Sequence, residues 1–511
     1  MLSLILVAFV ILIVKWSWDR IQFFKLRDKM GIPGPPTQFP LGNVNYILND
    51  MKKNGKEDSI NMRFRMAKQY GDVVGMYLGQ HFEVTTTDLD IINEVFIKQF
   101  SKFVNRPTQH FGGGYPMNEN ILQMTREGPG KGYGWKDIRS VISPIFTTGK
   151  LKAMFPIMEE RVNAFVEHLK GMTSSEENDI EMYNELQALS LDVIGRCAFG
   201  METECIKDKT DKFYINAQKF FNSINLEESV GMLVGFFSPK IGQFIRPWTR
   251  EGKTEKVLLD GLKEVVERRK RTFGSDSDNR KDLISLMLEQ DRERQRSQKK
   301  PPLSDETIVS NCYAFLLAGY ETTSTALSFG LYALAKNPEV QQTLYDELTD
   351  NFNFHTDITY DALMKLPYLE AVMMESLRRY PPVVFFTTRE CVEDCEIKGI
   401  KFKKGVCVQC PVHLTHYNPE YWPDPLKFDP NRFLAINNHV DNLTWMPFGI
   451  GPRNCVGMRF AELEYKSALA ALVLNFKFEL GKELQDKELA CGIMAVLYRP
   501  LDGVNLKVTA R

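Results

Sequence analysis

The run Phe448-Gly449-Ile450-Gly451-Pro452-Arg453-Asn454-Cys455-Val456-Gly457 constrains the fold of this chain more than any other stretch. Its glycines permit backbone angles and close approaches that a side chain would prevent, so the segment can close into a tight loop beneath a flat ligand. The helical pattern Met458-Arg459-Phe460-Ala461-Glu462 follows directly. Cys455 therefore precedes a helix N-terminus, whose dipole and free amides favour a thiolate. Arg453 adds a cation to the same loop. A lone cysteine in a helical protein is usually a small buried apolar residue, but the whole pattern of glycines, arginine and cysteine asks for more.

The loop sits in a chain of 511 residues, 43% hydrophobic and 25% charged, which is enough to bury a large core and too apolar for disorder. Sixty-four basic residues against sixty-five acidic ones leave a net charge of -1, so a polyanionic partner would need a local basic patch and nucleic acid is not expected. Nine cysteines are too few and odd in number for a disulfide scaffold. Cys391, Cys395, Cys407 and Cys410 approach a structural zinc spacing. Val406 to Cys410 reads as a strand, however, and residues three apart on a strand face opposite ways.

Residues 1–14 are apolar except for Ser3, and Lys15, Trp16 and Trp18 follow. A helix through residue 18 would be about 27 Å long, enough for a hydrocarbon core if Lys15 reaches the interface. No cleavage motif or arginine-rich amphipathic stretch suggests a cleaved signal or a mitochondrial address. The cations Lys15, Arg20, Lys25, Arg27 and Lys29 come after the apolar run, which places the body on the cytosolic side. Gly31-Ile32-Pro33-Gly34-Pro35-Pro36 then breaks any helix. The expected organisation is a membrane anchor over 1–18, a basic linker and proline hinge over 19–36, and one large domain over 37–511.

That domain reads as mainly α with small β-sheets. Helical periodicity dominates residues 60–385, with strand-like alternation at Val73–Met76 and Phe82–Thr85, and residues 393–412 and 490–508 look extended. The polar stretch Gln290 to Pro302 reads as a solvated loop. Gly231 to Trp248, with only Lys240 and Arg246 as charges, suits either a core or a membrane interface.

Three further constellations lie upstream of the cysteine loop. Glu375 and Arg378 are three apart on a helix, where they can pair, and Phe428-Asp429-Pro430-Asn431-Arg432-Phe433 follows. Ala314, Ala318 and Thr322 recur every four residues, so one helix face carries two small side chains and a hydroxyl beside Gly319 and Glu321. Trp135 and Arg139 share a helix face at i, i+4 and can direct two donors at one carboxylate.

Together these resemble the cytochrome P-450 superfamily, whose F-x-x-G-x-R-x-C-x-G signature is met at Phe448, Gly451, Arg453, Cys455 and Gly457. The resemblance extends over the whole chain and is closest to the animal microsomal, drug- and steroid-oxidising group. It implies a haem-thiolate monooxygenase holding haem b, with Cys455 as the axial iron ligand. Arg453, Trp135, Arg139, Arg389 and Arg106 would meet the haem propionates, with Phe448, Gly449, Gly451, Gly457 and Ala318 around the ring. Thr322 and Glu321 would deliver protons, and Glu375, Arg378 and Arg432 would form a structural triad. It further implies an NADPH-dependent flavoprotein reductase as partner, docking near Lys136, molecular oxygen and a small apolar substrate, and a place on the endoplasmic reticulum bilayer. Phe111 to Met124, Ala314, Phe315, Val383 to Phe386, Ile493 and Met494 would line the pocket. Two other functions share the cysteine loop: an isomerase or dehydratase that needs no reductase, and a haem sensor or carrier that would not need Glu321 and Thr322.

Overall fold

The computed structural model describes residues 2–107, 114–173, 179–224, 229–273, 282–434, 441–494 and 496–511. Its spine is a 32-residue helix, Asp305–Lys336. The Ser304 hydroxyl caps its start by accepting from the Thr307 amide, and Asp305 and Glu306 lie in the first turn, where the helix dipole favours them. Pro338 stops it by disfavouring the α conformation at Asn337. This central helix is buried around most of its circumference, as an internal helix must be. Its most extensive packing is against Met182–Phe199. That crossing helix is capped by Glu181 and ends on Gly200 in the left-handed conformation. Gly319 lets the two helices meet closely, because a Cβ there would stand 3.0 Å from the Ile194 side chain. The central helix runs through Gly319 and Thr322 without interruption.

The sheets are small. One has four strands in the order Val73–Leu78, His81–Thr86, Cys407–Gln409, Thr388–Glu390. Its pairings are antiparallel, parallel and antiparallel. Near the C-terminus, Cys491–Met494 and Leu497–Pro500 form an antiparallel hairpin joined to the core by a bridge from Leu497 to Val383. The mainly helical class and both N-terminal strands thus match the sequence reading. Cys407 lies in a strand, and no cluster able to hold a metal ion occurs among the described residues.

Two regions differ from the reading. The stretch expected as a loop from Gln290 is helical through Gln298, because Asp291 and Arg294 pair at 2.8 Å in the interior and Arg294 also reaches the Pro301 carbonyl. The N-terminal helix runs past residue 18 to Phe24. Its far end docks on the body: buried Arg20 donates to the Pro40 carbonyl at 2.8 Å and to the Gly79 carbonyl. Phe23 and Phe24 pack edge-on against Tyr77. Its outer part exposes an apolar surface from Leu6 to Trp18. No helix among the described residues is long and apolar enough to cross a membrane.

The helix Pro367–Arg379 carries the ion pair expected at Glu375 and Arg378. Two hydrogen bonds of 2.7 and 2.9 Å join the side chains, and both are fully buried. Arg432 approaches Glu375 at 3.5 Å, and the Asp429 amide donates to the same carboxylate at 2.8 Å. His416 links this group to the cysteine loop. One ring nitrogen meets the Arg378 carbonyl at 3.1 Å and the other accepts from the Met446 amide at 3.0 Å. Burial and the Arg378 charge hold the imidazole down at about 3, so it stays neutral with one donor and one acceptor nitrogen. Removing one partner of such a pair strands the other charge. Arg378→Leu is expected to cost about 3–5 kcal/mol, against less than about 1 kcal/mol for Lys256→Ala in the exposed Lys256–Asp260 pair. Urea unfolding of the two variants checks this, and equal losses would contradict it.

Candidate active site

A large cavity opens beside the central helix, lined mostly by apolar side chains such as Ile121, Ala314, Phe315, Ala318, Phe386 and Met494. Cys455, Thr322, Arg106, Trp135, Arg139, Arg389 and Arg453 also border it. Val384, Phe385 and Ile493, expected in its wall, are not part of it. Phe385 packs instead against Arg63 and His413. Phe111, from the same expectation, lies outside the described residues.

The cysteine loop closes as its glycines suggest. The Cys455 amide donates to the Phe448 carbonyl at 2.8 Å and the Asn454 amide to the Gly451 carbonyl at 2.9 Å. Gly449 and Gly451 have φ of 71° and 73°. A Cβ on Gly451 would overlap the Phe96 carbonyl oxygen at 1.9 Å. Gly457 is different: its φ of -90° suits any residue, and a Cβ would make only ordinary contact with Phe146 while entering the cavity border. It therefore keeps space open and does not supply a special angle. The helix Met458–Asn475 starts immediately after it.

Cys455 is exposed and borders the cavity. Desolvation pushes the thiol up from its ordinary value, while the Gly457 amide, Arg139 and Arg106 pull it towards thiolate.

Four guanidiniums gather at this end of the cavity. Arg106 donates to the carbonyls of Leu122 at 2.9 Å and Arg453 at 3.0 Å. Arg453 reaches the Met124 carbonyl and lies over the Trp135 ring. Arg139 donates to the Asn454 carbonyl and side chain, both at 2.9 Å. Arg389 reaches the Thr388 carbonyl at 2.8 Å and the Ile450 carbonyl at 3.3 Å. Nε of Arg106, Arg389 and Arg453 is buried without a partner among the described residues. None of the four pairs with a carboxylate among the described residues. Burial pulls Arg106 down to about 9, opposed by Cys455 and aided by Arg139. Burial and neighbouring arginines pull Arg389 and Arg453 well below the ordinary range. Such a group fits a ligand carrying two carboxylates, as haem does, and the open thiol and apolar walls fit its metal and ring.

Thr322 borders the cavity with its hydroxyl bonded back to the Ala318 carbonyl at 2.6 Å. Glu321, expected beside it as a proton donor, is fully buried away from the cavity wall. It accepts from the Tyr183 hydroxyl, from Gln187 at 3.0 Å and from Arg499 at 3.1 Å. Consecutive helical residues point about 100° apart, and a carboxylate turned inward needs donors, which the crossing helix and the C-terminal hairpin supply. Burial and the Glu321 charge push the Tyr183 phenol well above its usual range, so it remains a donor. Sequence reading missed Tyr183, Gln187 and Arg499. Only Arg499 leaves a signal, as a lone charge in the strand Leu497-Tyr498-Arg499-Pro500.

A family model described as Cytochrome P450 matches residues 33–503. Cytochrome P450 3A41 of Mus musculus is 34% identical over 473 residues, covering 90% of this chain and 88% of the relative. Cytochrome P450 3A29 of Sus scrofa is 35% identical over 463 residues, with 90% and 88% covered. Cytochrome P450 3A5 of Homo sapiens is 33% identical over 465 residues, again with 90% and 88% covered. The chain belongs to the cytochrome P450 family. It is a haem-thiolate monooxygenase whose cofactor is haem b.

Proposed function

We propose that this monooxygenase oxidises a small, largely apolar substrate at the endoplasmic reticulum membrane, using electrons from NADPH passed on by a flavoprotein reductase. The observation that carries the reading is a single apolar cavity onto which both the Cys455 thiol and Thr322 open. Cys455 would hold the iron, and Arg106, Trp135, Arg139, Arg389 and Arg453 the propionates. Phe448, Gly449, Gly451, Gly457 and Ala318 would leave room for the ring. Haem b held there supplies the activation of molecular oxygen, which protein side chains cannot perform. The side chains position the substrate, exclude water and handle protons.

Thr322 is a proton-handling group on the cavity wall. With its proton donated to the Ala318 carbonyl, Oγ1 offers lone pairs to the cavity. Rotation of the hydroxyl lets it accept a proton from one side and give one to the other. Glu321 takes the supporting place, tying the central helix to its neighbours. Electrons come from a partner because the sequence carries no flavin or nicotinamide fingerprint. Exposed Lys136 is suited to steer an acidic partner surface.

The membrane reading draws on two exposed apolar surfaces. One is the outer part of the N-terminal helix. The other is formed by Ile241, Phe244 and Trp248, which are 55%, 71% and 64% exposed. Arg246 turns inward to Glu255 at 2.6 Å. Of the two readings of Gly231 to Trp248, these exposures support the interface.

With reductase and NADPH, Thr322→Ala is expected to keep its haem and its oxygen consumption while product formed per NADPH falls about tenfold or more and hydrogen peroxide rises. Unchanged coupling would contradict the role given to Thr322. Removing residues 1–18, which spares Arg20, Phe23 and Phe24, is expected to release most of the protein from phospholipid vesicles with its haem retained. Changing Ile241, Phe244 and Trp248 to Ser in that shortened chain is expected to release the rest. A full-length chain that does not bind vesicles in flotation would contradict the membrane reading.

A further inference from the structure

The four arginines at the cysteine end of the cavity are held by backbone carbonyls of residues 122, 124, 388, 450, 453 and 454. A fifth cavity arginine stands apart from them. Arg499 lies on the C-terminal hairpin. It donates through Nη1 to Glu321 at 3.1 Å and through Nη2 to Asn222 at 2.9 Å. Its side chain keeps 10% exposure, whereas that of Glu321 has none, and Arg499, not Glu321, borders the cavity.

Two properties follow from that arrangement. Glu321 is also held by Tyr183 and Gln187, so it does not depend on Arg499 for all its donors. Among the described residues Arg499 contacts Glu321, Asn222 and Tyr183, fewer partners than a guanidinium has N–H groups. Donor capacity is thus left over in a wall that is otherwise largely apolar. The charge on Arg499 is already balanced by Glu321. A carboxylate on a ligand would face that second negative charge, whereas a neutral oxygen would gain a charge-assisted hydrogen bond without it. A pure hydrocarbon would cover the donors without pairing them, at a cost.

Resting on the reading of an apolar-substrate monooxygenase, we propose that Arg499 is a specificity-determining residue that selects apolar substrates bearing a neutral acceptor oxygen, a ketone or hydroxyl, over hydrocarbons and carboxylates. Binding to Arg499 fixes one end of the substrate on the hairpin and so decides which carbon faces the reaction space.

The test uses the full-length holoenzyme in detergent and three labelled probes that share one rigid skeleton: androstane, its monoketone and its monocarboxylate. Equilibrium dialysis reads their affinities without turnover. The wild type is expected to hold the ketone about tenfold tighter than androstane, and the carboxylate no tighter than the ketone. Arg499→Leu is expected to bring ketone and androstane to within about twofold of each other, with androstane affinity unchanged. Arg499→Gln, which keeps a neutral donor, is expected to retain part of the preference and serves if the Leu variant does not fold. A ketone preference equal in the wild type and both variants would overturn the proposal, as would tightest binding of the carboxylate. If none of the three probes binds the wild type, the apolar-substrate reading fails and this proposal falls with it. A lost preference for the ketone alone would leave that reading intact.

Discussion

Gathering four arginines around one cavity, three of them buried and none paired with a carboxylate among the described residues, is costly unless an anion joins them. Arg106, Arg139, Arg389 and Arg453 are far apart in sequence, and each is placed by a different element. Arg139 comes from the short helix Trp135–Ile142, Arg389 from the strand Thr388–Glu390 and Arg453 from the cysteine loop. Part of their donors go to backbone carbonyls, which positions them, and Nε of three of them has no partner among the described residues. Haem propionates would complete the group, which would link cofactor binding to local stability. Ligand that binds only the folded chain stabilises it by mass action.

Behind that group lies a second layer with the opposite electrostatic logic, in which every charge is answered. Glu375 is met by Arg378, Arg432 and the Asp429 amide. His416 then carries the arrangement forward to Met446, two residues before the cysteine loop. A buried pair of this kind is weak evidence for stability compared with apolar packing. Its effect is positional: it fixes where the loop starts, and the left-handed Gly449 and Gly451 fix how it turns.

The loop, the Glu375–Arg378 pair and the Trp135–Arg139 pair were legible in the sequence because each has a short spacing with a physical meaning, whereas Arg106, Arg389 and Arg432 are distant in sequence and came only from the family resemblance. Cys455 precedes a helix, Glu375 and Arg378 lie three apart, and Trp135 and Arg139 four apart. The mainly helical fold was legible for a similar reason, through periodicity. The direction of Glu321 was not, because adjacency in sequence to Thr322 says nothing about which helix face meets the cavity. Donors from Tyr183, Gln187 and Arg499 decide it, and all three are distant in sequence. The helix over Gln290 to Gln298 was hidden because its polar composition resembles a loop, while the buried pairing of Asp291 and Arg294 is a tertiary event. Docking of Arg20 on the Pro40 and Gly79 carbonyls was hidden in the same way.

The central claim is that Cys455 is the thiolate ligand of the haem iron. The most direct measurement is the absorption spectrum of the reduced, carbon monoxide-treated protein, wild type against Cys455→Ala. Thiolate ligation has its own electronic signature at the iron. The wild type is expected to show the long-wavelength Soret band of a thiolate-ligated haem, and Cys455→Ala to lose it. A band that persists unchanged in Cys455→Ala would place the ligand elsewhere and contradict the account.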